Sequence, residues 1–589
     1  MVKRVADIII ETLVEQGVVD CFAVVGGGAM HLDNALALNK SINKYFNHHE
    51  QACAMAAEAY ARISGNIAAV CVTSGPGATN TLTGVMGCWQ DSLPMIVLSG
   101  QVRYEISVSK SGLPLRYRGI QEYEIVPCVK HMTKYAIMIT DPLMIKREIK
   151  KAIQISLEGR RGPVWLDIPL DIQSAMVEED ELYPYEEKQY DEPVINFKKI
   201  QEVLNNSERP CILAGSGIRS AHVMEEFVSF IEKLGVPVIG GAWVADNMYR
   251  EHPLFFGLSG NIGPRTGNFI LQNADLIVVL GNSLGFRQTG FNQSGFAPNA
   301  KIIMIDVDEN ESKKPGLHLD MYIKADLHDF LHKAISEMEH VNVADDWVQY
   351  CNHLRNRFDV FEGADNITME ERVSSYYFWK VFEQYEPDDS ILALGNNTGN
   401  TAKLQIGVRK KDQRVVTNYT CGSMGYDLPA AIGAAVSSGK RVFCVTGDGS
   451  VMMNLQELQT IRHYGLPIHV IIFSNDGYGA IRQTSKNFFN GIYIGCTKDT
   501  GISFPEFSDV AKTFGFQYML CEKNEDIDKT LQALFASEEN VLLEIKQRFD
   551  DPVTPKVMSR MNDDGSFSTP SLEDMAPFLS KEEHDSLMF

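Results

Sequence analysis

Two glycine turns, Gly447-Asp448-Gly449-Ser450 and Asn475-Asp476-Gly477-Tyr478-Gly479, leave this chain little choice of fold. Residues 441–445 (RVFCV) are an apolar run that reads as a buried strand ending at a turn only small residues allow. Leu455, Leu458 and Ile461 then recur at helical spacing over 453–464. Gly465-Leu466-Pro467 stops that helix, and 469–473 (HVIIF) is a second strand. A strand–helix–strand unit has parallel strands, so both turns reach the carboxyl end of one sheet, where open α/β sheets bind ligands. Asp448 and Asn475 then become neighbours. A hard divalent cation takes a carboxylate, an amide oxygen and a backbone carbonyl, leaving positions for phosphate oxygens and water. Asp448, the Asn475 side chain and the Gly477 carbonyl offer that set. A dinucleotide-type turn or an ordinary strand–helix–strand unit would use similar glycines, and the rest of the chain must decide.

The chain's 589 residues leave room for three or four domains. Its 44% hydrophobic and 22% charged residues are those of a globular protein. A net charge of -22 offers neither nucleic acid nor an anionic membrane the basic face each requires. Cysteines without a C-x-x-C pair suggest reduced thiols and a cytoplasmic location. In MVKRVADIIIETLVEQG the apolar positions are broken by Asp7, Glu11 and Thr12, which predicts an amphipathic first helix, not a signal peptide. No apolar run approaches the roughly 18 residues a membrane span needs.

Residues 1–175 alternate strand and helix, the pattern of a doubly wound parallel sheet. A strand over 19–25 runs into Gly26-Gly27-Gly28, a helix over 50–64 opens on Glu50, and a strand over 68–73 leads into Ser74-Gly75-Pro76-Gly77-Ala78-Thr79-Asn80. A carboxylate at the start of a helix commonly does no more than meet the helix dipole. Yet HHEQACAMAAEAYAR, TSGPGATNTLTG, DSLPMIVLSGQ and RRGPVWLDIPLD, followed at the expected interval by GDGS and NDGYG, resemble the thiamine diphosphate enzymes of the acetolactate synthase-like group.

The resemblance implies three α/β domains with doubly wound, mostly parallel sheets: pyrimidine-binding (1–175), middle (195–345) and diphosphate-binding (376–548), then a C-terminal tail (549–589). It implies thiamine diphosphate and Mg²⁺ as cofactors. Glu50 matches the glutamate that hydrogen-bonds the aminopyrimidine ring, where a carboxyl group in an apolar pocket can share a proton. Gln121 matches a family glutamine, and Lys134 a lysine at the substrate entrance, its plainer reading being a surface lysine. Gly26, Thr73, Pro76 and Asn80 would also meet the cofactor from the first domain. In the last domain Asn397, Thr398, Gly422 and Ser423 would flank it. Met424, otherwise simple core filling, matches the residue that holds the cofactor bent. Gly447, Asp448, Gly449 and Ser450 would seat the diphosphate at a helix N-terminus. Asn475, Gly477, Tyr478, Gly479, Ala480 and Ile481 complete the set, with Asp448, Asn475 and Gly477 as metal ligands.

Residues 171–194 (containing VEEDELYPYEEKQYDEP) read as an acidic linker, and 346–375 as a second boundary. Between them, strands over 210–214, 236–240, 274–280 and 302–306 resemble the FAD-binding middle domain of acetolactate synthases. Arg160, Gly215, Gly217, the glycine-rich loop Gly257-x-x-Gly260-x-x-Gly263, Arg287 and Asp306 match positions for that site. Ser283 and Gly285 replace an arginine and an aspartate usual there. FAD in a structural role therefore stands beside an empty or ADP-binding domain.

The activity implied is decarboxylation of a 2-keto acid, pyruvate first, with transfer of the acyl-anion equivalent to a second carbonyl compound. Residues 112–122 (GLPLRYRGIQE) lack the phenylalanine of the biosynthetic acetolactate synthases, and Thr484 replaces a tryptophan that favours 2-ketobutyrate. RYRGIQE with VKHMTKY looks more like the enzymes of deoxysugar and polysaccharide pathways, so a keto-deoxysugar nucleotide becomes a candidate acceptor. The alternatives are a genuine acetolactate synthase, a non-ligating decarboxylase, a flavin-dependent pyruvate oxidase and a non-catalytic scaffold. The decarboxylases' histidine pair would fall near 110–120, which holds none, and a scaffold would not need Glu50, Asp448 and Asn475 together. Family sites form between subunits, which implies a homodimer at least and a homotetramer as the further expectation. The tail is expected to be loose or folded over the cofactor cleft.

Overall fold

A computed structural model describes the chain except for residues 190–191, 365–366, 562–563 and 565. Apolar runs bounded by glycine turns become strands covered on both faces, as parallel sheets require, and gather into three six-stranded sheets. The first contains β1 (Asp20–Ala23), β2 (Asn43–Phe46), β3 (Ala69–Val72), β4 (Met95–Gln101), β5 (Tyr135–Met138) and β6 (Pro163–Pro169), in the order β2-β1-β3-β4-β6-β5. The second contains β7 (Pro210–Ala214), β8 (Val238–Gly241), β9 (Phe255–Ser259), β10 (Leu276–Leu280), β11 (Lys301–Asp306) and β12 (Met321–Lys324). Its order, β9-β8-β7-β10-β11-β12, is that of dinucleotide-binding sheets. The third contains β13 (Ile391–Leu394), β14 (Arg414–Val416), β15 (Val442–Gly447), β16 (Ile468–Ser474), β17 (Gln517–Cys521) and β18 (Val541–Lys546). Its order, β14-β13-β15-β16-β18-β17, repeats the first sheet strand for strand.

That repetition fixes where ligands can enter. In both outer sheets the winding reverses between the first and third strands, and the crevice beyond their carboxyl ends is the place for a ligand. In the first sheet those ends carry Gly26-Gly27-Gly28 and the Thr73 turn. In the third they carry Asn396-Asn397 and Gly447-Asp448.

The two outer domains meet through helices Glu50–Ser64 and Asp427–Ser438, both rich in small residues. A Cβ on Gly433 would stand 1.9 Å from the Ala56 carbonyl oxygen, so the backbones touch. Glu457 accepts from Asn47 Nδ2 (2.9 Å) and the His48 amide (3.0 Å), and Asn454 Nδ2 donates to Gln51 Oε1 (3.1 Å). The third domain thus packs around the end of the helix that Glu50 opens.

Four expectations need correction. The loop read at Gly257-x-x-Gly260-x-x-Gly263 begins inside β9, because Phe255, Phe256 and Leu258 are core residues despite the glycine. The helix read over 453–464 starts only at Glu457 and runs to Tyr464; the short helix Asp448–Val451 precedes it, and between the two Asn454 turns its amide to the Gly425 carbonyl (2.7 Å). The acidic linker starts as ordered structure: Met176–Glu178 pairs antiparallel with Val2–Arg4, giving the first residues' backbone its partners. Positions 190 and 191 of that linker, and 365 and 366 of the second boundary, lie outside the described residues.

The described part of the tail is not loose: residues 549–555 hold the third domain, with Phe549 on Arg482 and Thr554 on Tyr376, and residues 572–589 pack on the middle domain. Leu572 and Met575 join that domain's core. Arg265 Nη1 donates to the Met575 carbonyl (3.1 Å), Asn268 Nδ2 to the Leu572 carbonyl (3.0 Å) and Gln272 Nε2 to Glu573 (2.9 Å). The Phe589 amide donates to Asn273 Oδ1 (2.6 Å), and its ring meets Trp347 and Tyr350 edge-on. Among the described residues no helix is long and apolar enough to cross a membrane.

Candidate active site

At the switch point of the third sheet Asp448 is 2% exposed and organises both glycine turns. Oδ1 accepts from the Gly449 amide (2.8 Å), while Oδ2 accepts from the amides of Asn475 (3.0 Å) and Gly477 (3.1 Å). Burial pushes this carboxyl up to about 6, against the pull of those three N–H groups and the Arg482 charge. Asp476 at φ 62 and Gly477 at φ 145 make the second turn. A Cβ on Gly477 would stand 2.0 Å from the Cys496 carbonyl oxygen, so only glycine closes it. Likewise a Cβ on Gly449 would enter the Tyr478 ring at 2.1 Å. Asn475 is held on both sides of its amide, Nδ2 donating to Gln547 Oε1 (3.1 Å) and Oδ1 accepting from Arg482 Nη2 (3.2 Å).

The neighbouring candidates are interlocked. Ser450 Oγ donates to Asp427 (2.6 Å) and accepts from the Gly425 amide (2.9 Å), tying the Gly422-Ser423-Met424 turn to the Asp448 turn. Met424 is only partly buried and belongs to none of the hydrophobic core clusters. Ser423 Oγ accepts from Asn418 (2.7 Å), and Asn396 Nδ2 donates to the Gly422 carbonyl (2.7 Å). Asn397 caps its helix through Oδ1, whereas its buried Nδ2 has no partner among the described residues. Gly447 stands beside it, where a Cβ would be 3.0 Å from that of Asn397. Thr398 is committed to Gln547 Nε2 (3.0 Å). Gly479 opens the helix Gly479–Phe488, on which Ala480 and Ile481 are exposed. An anionic carboxylate, an amide oxygen and a free carbonyl beside an unpartnered buried donor suit a hard cation with a diphosphate.

In the first sheet Glu50 begins its helix behind His49, whose Nδ1 accepts from the Gln51 amide (3.0 Å). Glu50 Oε2 accepts from Asn80 Nδ2 (2.9 Å), which sits at the end of the short helix Pro76–Asn80. Oε1 lies 3.6 Å from where a Cβ on Gly77 would be. Thr73 Oγ1 accepts from the Gly28 amide (2.9 Å), and Gly26 packs on the Thr73 side chain, where a Cβ would stand 2.5 Å from it. Gln121, at φ 58, places its carbonyl against Gly75, so Gln121 belongs to the same turn cluster. Lys134 points elsewhere: Nζ donates to the Glu158 carbonyl (2.6 Å) beside Gly162, and burial brings its ammonium down to about 8.

Three further residues shape the site: Glu122 and Arg482 lie in stretches the sequence already marks, beside Gln121 and beside Ala480-Ile481, and only Gln547 gave no signal. Glu122 folds the 108–119 loop by accepting from the amides of Val108 (2.5 Å), Arg118 (2.7 Å) and Gly119 (2.8 Å). Gln547 joins Asn475, Thr398, Ser375 and Asp551, and Arg482 is buried under the Asn475–Gly479 turn. A side chain that bonds distant partners carries no periodicity by which to find it.

Beyond the second sheet a cavity lies at the ends of β7, β10 and β11, walled by Ser216, Gly217, Asn282, Asp306, Trp243 and Tyr419, with Arg160 from the first domain. Gly215 and Gly217 let this turn pass the Gly281 turn, a Cβ on Gly215 standing 2.1 Å from the Gly281 carbonyl oxygen. Arg160 is already paired, with Asp308 (3.1 Å), Glu311 and Ser92 (2.9 Å). Arg287 lies over the Tyr419 ring, 4.1 Å from its centroid. Gly257, Gly260 and Gly263 are outside the cavity wall; the last two pack on Arg287 and Ser259.

Models of the thiamine pyrophosphate enzymes match this chain three times, in the expected order: the N-terminal TPP binding domain over residues 3–121, the central domain over 197–334 and the C-terminal TPP binding domain over 393–545. The chain is also 29% identical over 574 residues to acetolactate synthase 1, chloroplastic, of Oryza sativa subsp. japonica, covering 95% of this chain and 86% of that protein. It is 27% identical over 542 residues to the acetolactate synthase isozyme 2 large subunit of Escherichia coli K12, covering 91% and 94% respectively.

Proposed function

Because the chain belongs to the thiamine pyrophosphate enzymes and is acetolactate synthase-like along most of its length, we propose that it is a Mg²⁺-dependent carboligase. A 2-keto acid, pyruvate first, would lose carbon dioxide, and its acyl-anion equivalent would pass to a second carbonyl compound. What supports this is the convergence of Asp448, Asn475 and Gly477 at one sheet switch point, their spacing fixed by the Asp448 carboxylate. When bound, thiamine diphosphate supplies the electron sink for the pair left on the substrate carbon as carbon dioxide departs.

Asp448, Asn475 Oδ1 and the Gly477 carbonyl would hold Mg²⁺. The Gly449–Ser450 turn with Asn397 Nδ2 would take the diphosphate oxygens. Glu50 would share a proton with the pyrimidine ring through Oε1, since Oε2 is held by Asn80. Gln121 would face substrate, with Lys134 nearer the entrance. Glu50 and Asp448 would serve one site from different subunits, making a homodimer the minimal active form and a homotetramer its expected assembly. The free cysteines fit a cytoplasmic location. Exposed Ile481 and Thr484 leave room for an acceptor bulkier than pyruvate, such as a keto-deoxysugar nucleotide.

NMR of pyruvate with purified protein, with and without thiamine diphosphate and Mg²⁺, tests the reaction. Slow, cofactor-dependent loss yielding mainly acetaldehyde is expected until the right acceptor is added. Acetolactate as the main product would make pyruvate itself the acceptor, and no consumption would remove pyruvate as the donor. The middle-domain cavity is proposed to hold a nucleotide, with FAD in a structural role as the first candidate. Visible flavin absorbance in the purified protein is the expected result, and ADP alone on denaturation would replace FAD.

A further inference from the structure

Arg482 is 1% exposed, while Ile481 beside it is 48% exposed, so the helix after the metal turn aims a guanidinium inward. A buried cation is costly unless its donors are satisfied. Nη2 donates to the Asn475 carbonyl (3.0 Å), to Asn475 Oδ1 (3.2 Å) and to the Phe549 carbonyl (2.7 Å). The guanidinium also lies over the Phe549 ring, 3.8 Å from its centroid. With Gln547 accepting from Nδ2, Arg482 decides which way the Asn475 amide faces. Nε and Nη1 have no partner among the described residues, and Nη1 is 2.9 Å from where a Cβ on Gly477 would stand. The unused Nη1 therefore borders the turn whose carbonyl is the third candidate ligand.

We propose that Arg482 is a positioning residue for the divalent cation, setting the Asn475 amide rotamer and the spacing of the Asn475 and Gly477 oxygens; this rests on the assignment of Asp448, Asn475 and Gly477 as ligands. Mg²⁺ demands near-octahedral oxygens at about 2.1 Å, whereas Ca²⁺ tolerates irregular sites. Loosening the turn must therefore cost Mg²⁺ more than Ca²⁺. Lysine keeps the charge, but its ammonium rotates freely on a flexible stem, so it neither holds its donors in a fixed plane nor stacks flat on the Phe549 ring. Arg482→Lys thus separates geometry from electrostatics.

The test is calorimetric titration of wild type and R482K with Mg²⁺ and with Ca²⁺ in the presence of thiamine diphosphate, with thermal melts to show that both are folded. The expected result is a Mg²⁺ affinity lower by about tenfold or more, the scale for losing a group that orients a metal ligand, with a clearly smaller loss for Ca²⁺. Unchanged affinities, or equal losses for both ions, would overturn the proposal. Should R482K fail to fold, Phe549→Leu removes the ring but keeps the carbonyl. The Mg²⁺ to Ca²⁺ ratio should then shift the same way by less, and an unchanged ratio counts against the proposal. Wild type that binds neither ion would overturn the ligand assignment itself.

Discussion

Replacing Glu50 by glutamine is expected to lower turnover by about two orders of magnitude or more, the scale of a lost acid–base group, while leaving thiamine diphosphate affinity nearly unchanged. The surroundings make this substitution clean. A glutamine oxygen can accept from Asn80 Nδ2 where Glu50 Oε2 does now, at 2.9 Å, so the contact with the Pro76–Asn80 helix survives. Gly77 leaves the other oxygen its space. Losing one negative charge at a helix N-terminus costs only about 0.3–1 kcal/mol, far below what the catalytic effect requires. What glutamine lacks is a proton to share with the pyrimidine ring. The measurement pairs a cofactor titration with single-turnover decarboxylation at saturating cofactor. Full activity would remove the proton-sharing role; loss of binding in proportion to activity would make Glu50 a cofactor anchor instead.

The sheets were legible in the sequence because buried parallel strands are short apolar runs ending at glycine. The strand expected at 210–214 emerges over those very positions, and the helix expected at 50–64 is Glu50–Ser64. Strands β9 and β12 were hidden, the first by Gly257 and the second by its weak apolar character at the sheet edge. Nor could the sequence reveal that the first and third sheets share one strand order, since order is set by pairing across long separations. Candidate turns at Gly26, Thr73, Gly447 and Asn475 could be listed from motifs, but their mutual support could not. Asp448 reads as a ligand in the sequence, whereas in the fold it also accepts three backbone amides. The tail misled for a related reason: Leu572 and Met575 anchor it as one pair and Leu587 alone, too few positions to show a period.

That second duty of Asp448 changes what its substitution must report. Asp448→Ala is expected to abolish Mg²⁺-dependent binding of thiamine diphosphate, but it also strands the amides of Gly449, Asn475 and Gly477. Each unsatisfied buried N–H costs about 1–3 kcal/mol, so the alanine variant should melt well below wild type. Its loss of binding then has two causes. Asp448→Asn separates them. Its side-chain oxygen can replace Oδ2 opposite Asn475 and Gly477, while the amide nitrogen turns toward Gly449 and forfeits that single hydrogen bond. Stability should therefore fall by only about 1–3 kcal/mol, yet the anionic oxygen a hard cation prefers is gone. The expected outcome is a folded Asn variant with Mg²⁺-dependent cofactor binding lost, read by thermal melting beside calorimetric titration. Undiminished Mg²⁺ affinity in that variant would place the metal elsewhere and leave Asp448 as the residue that only joins the two turns.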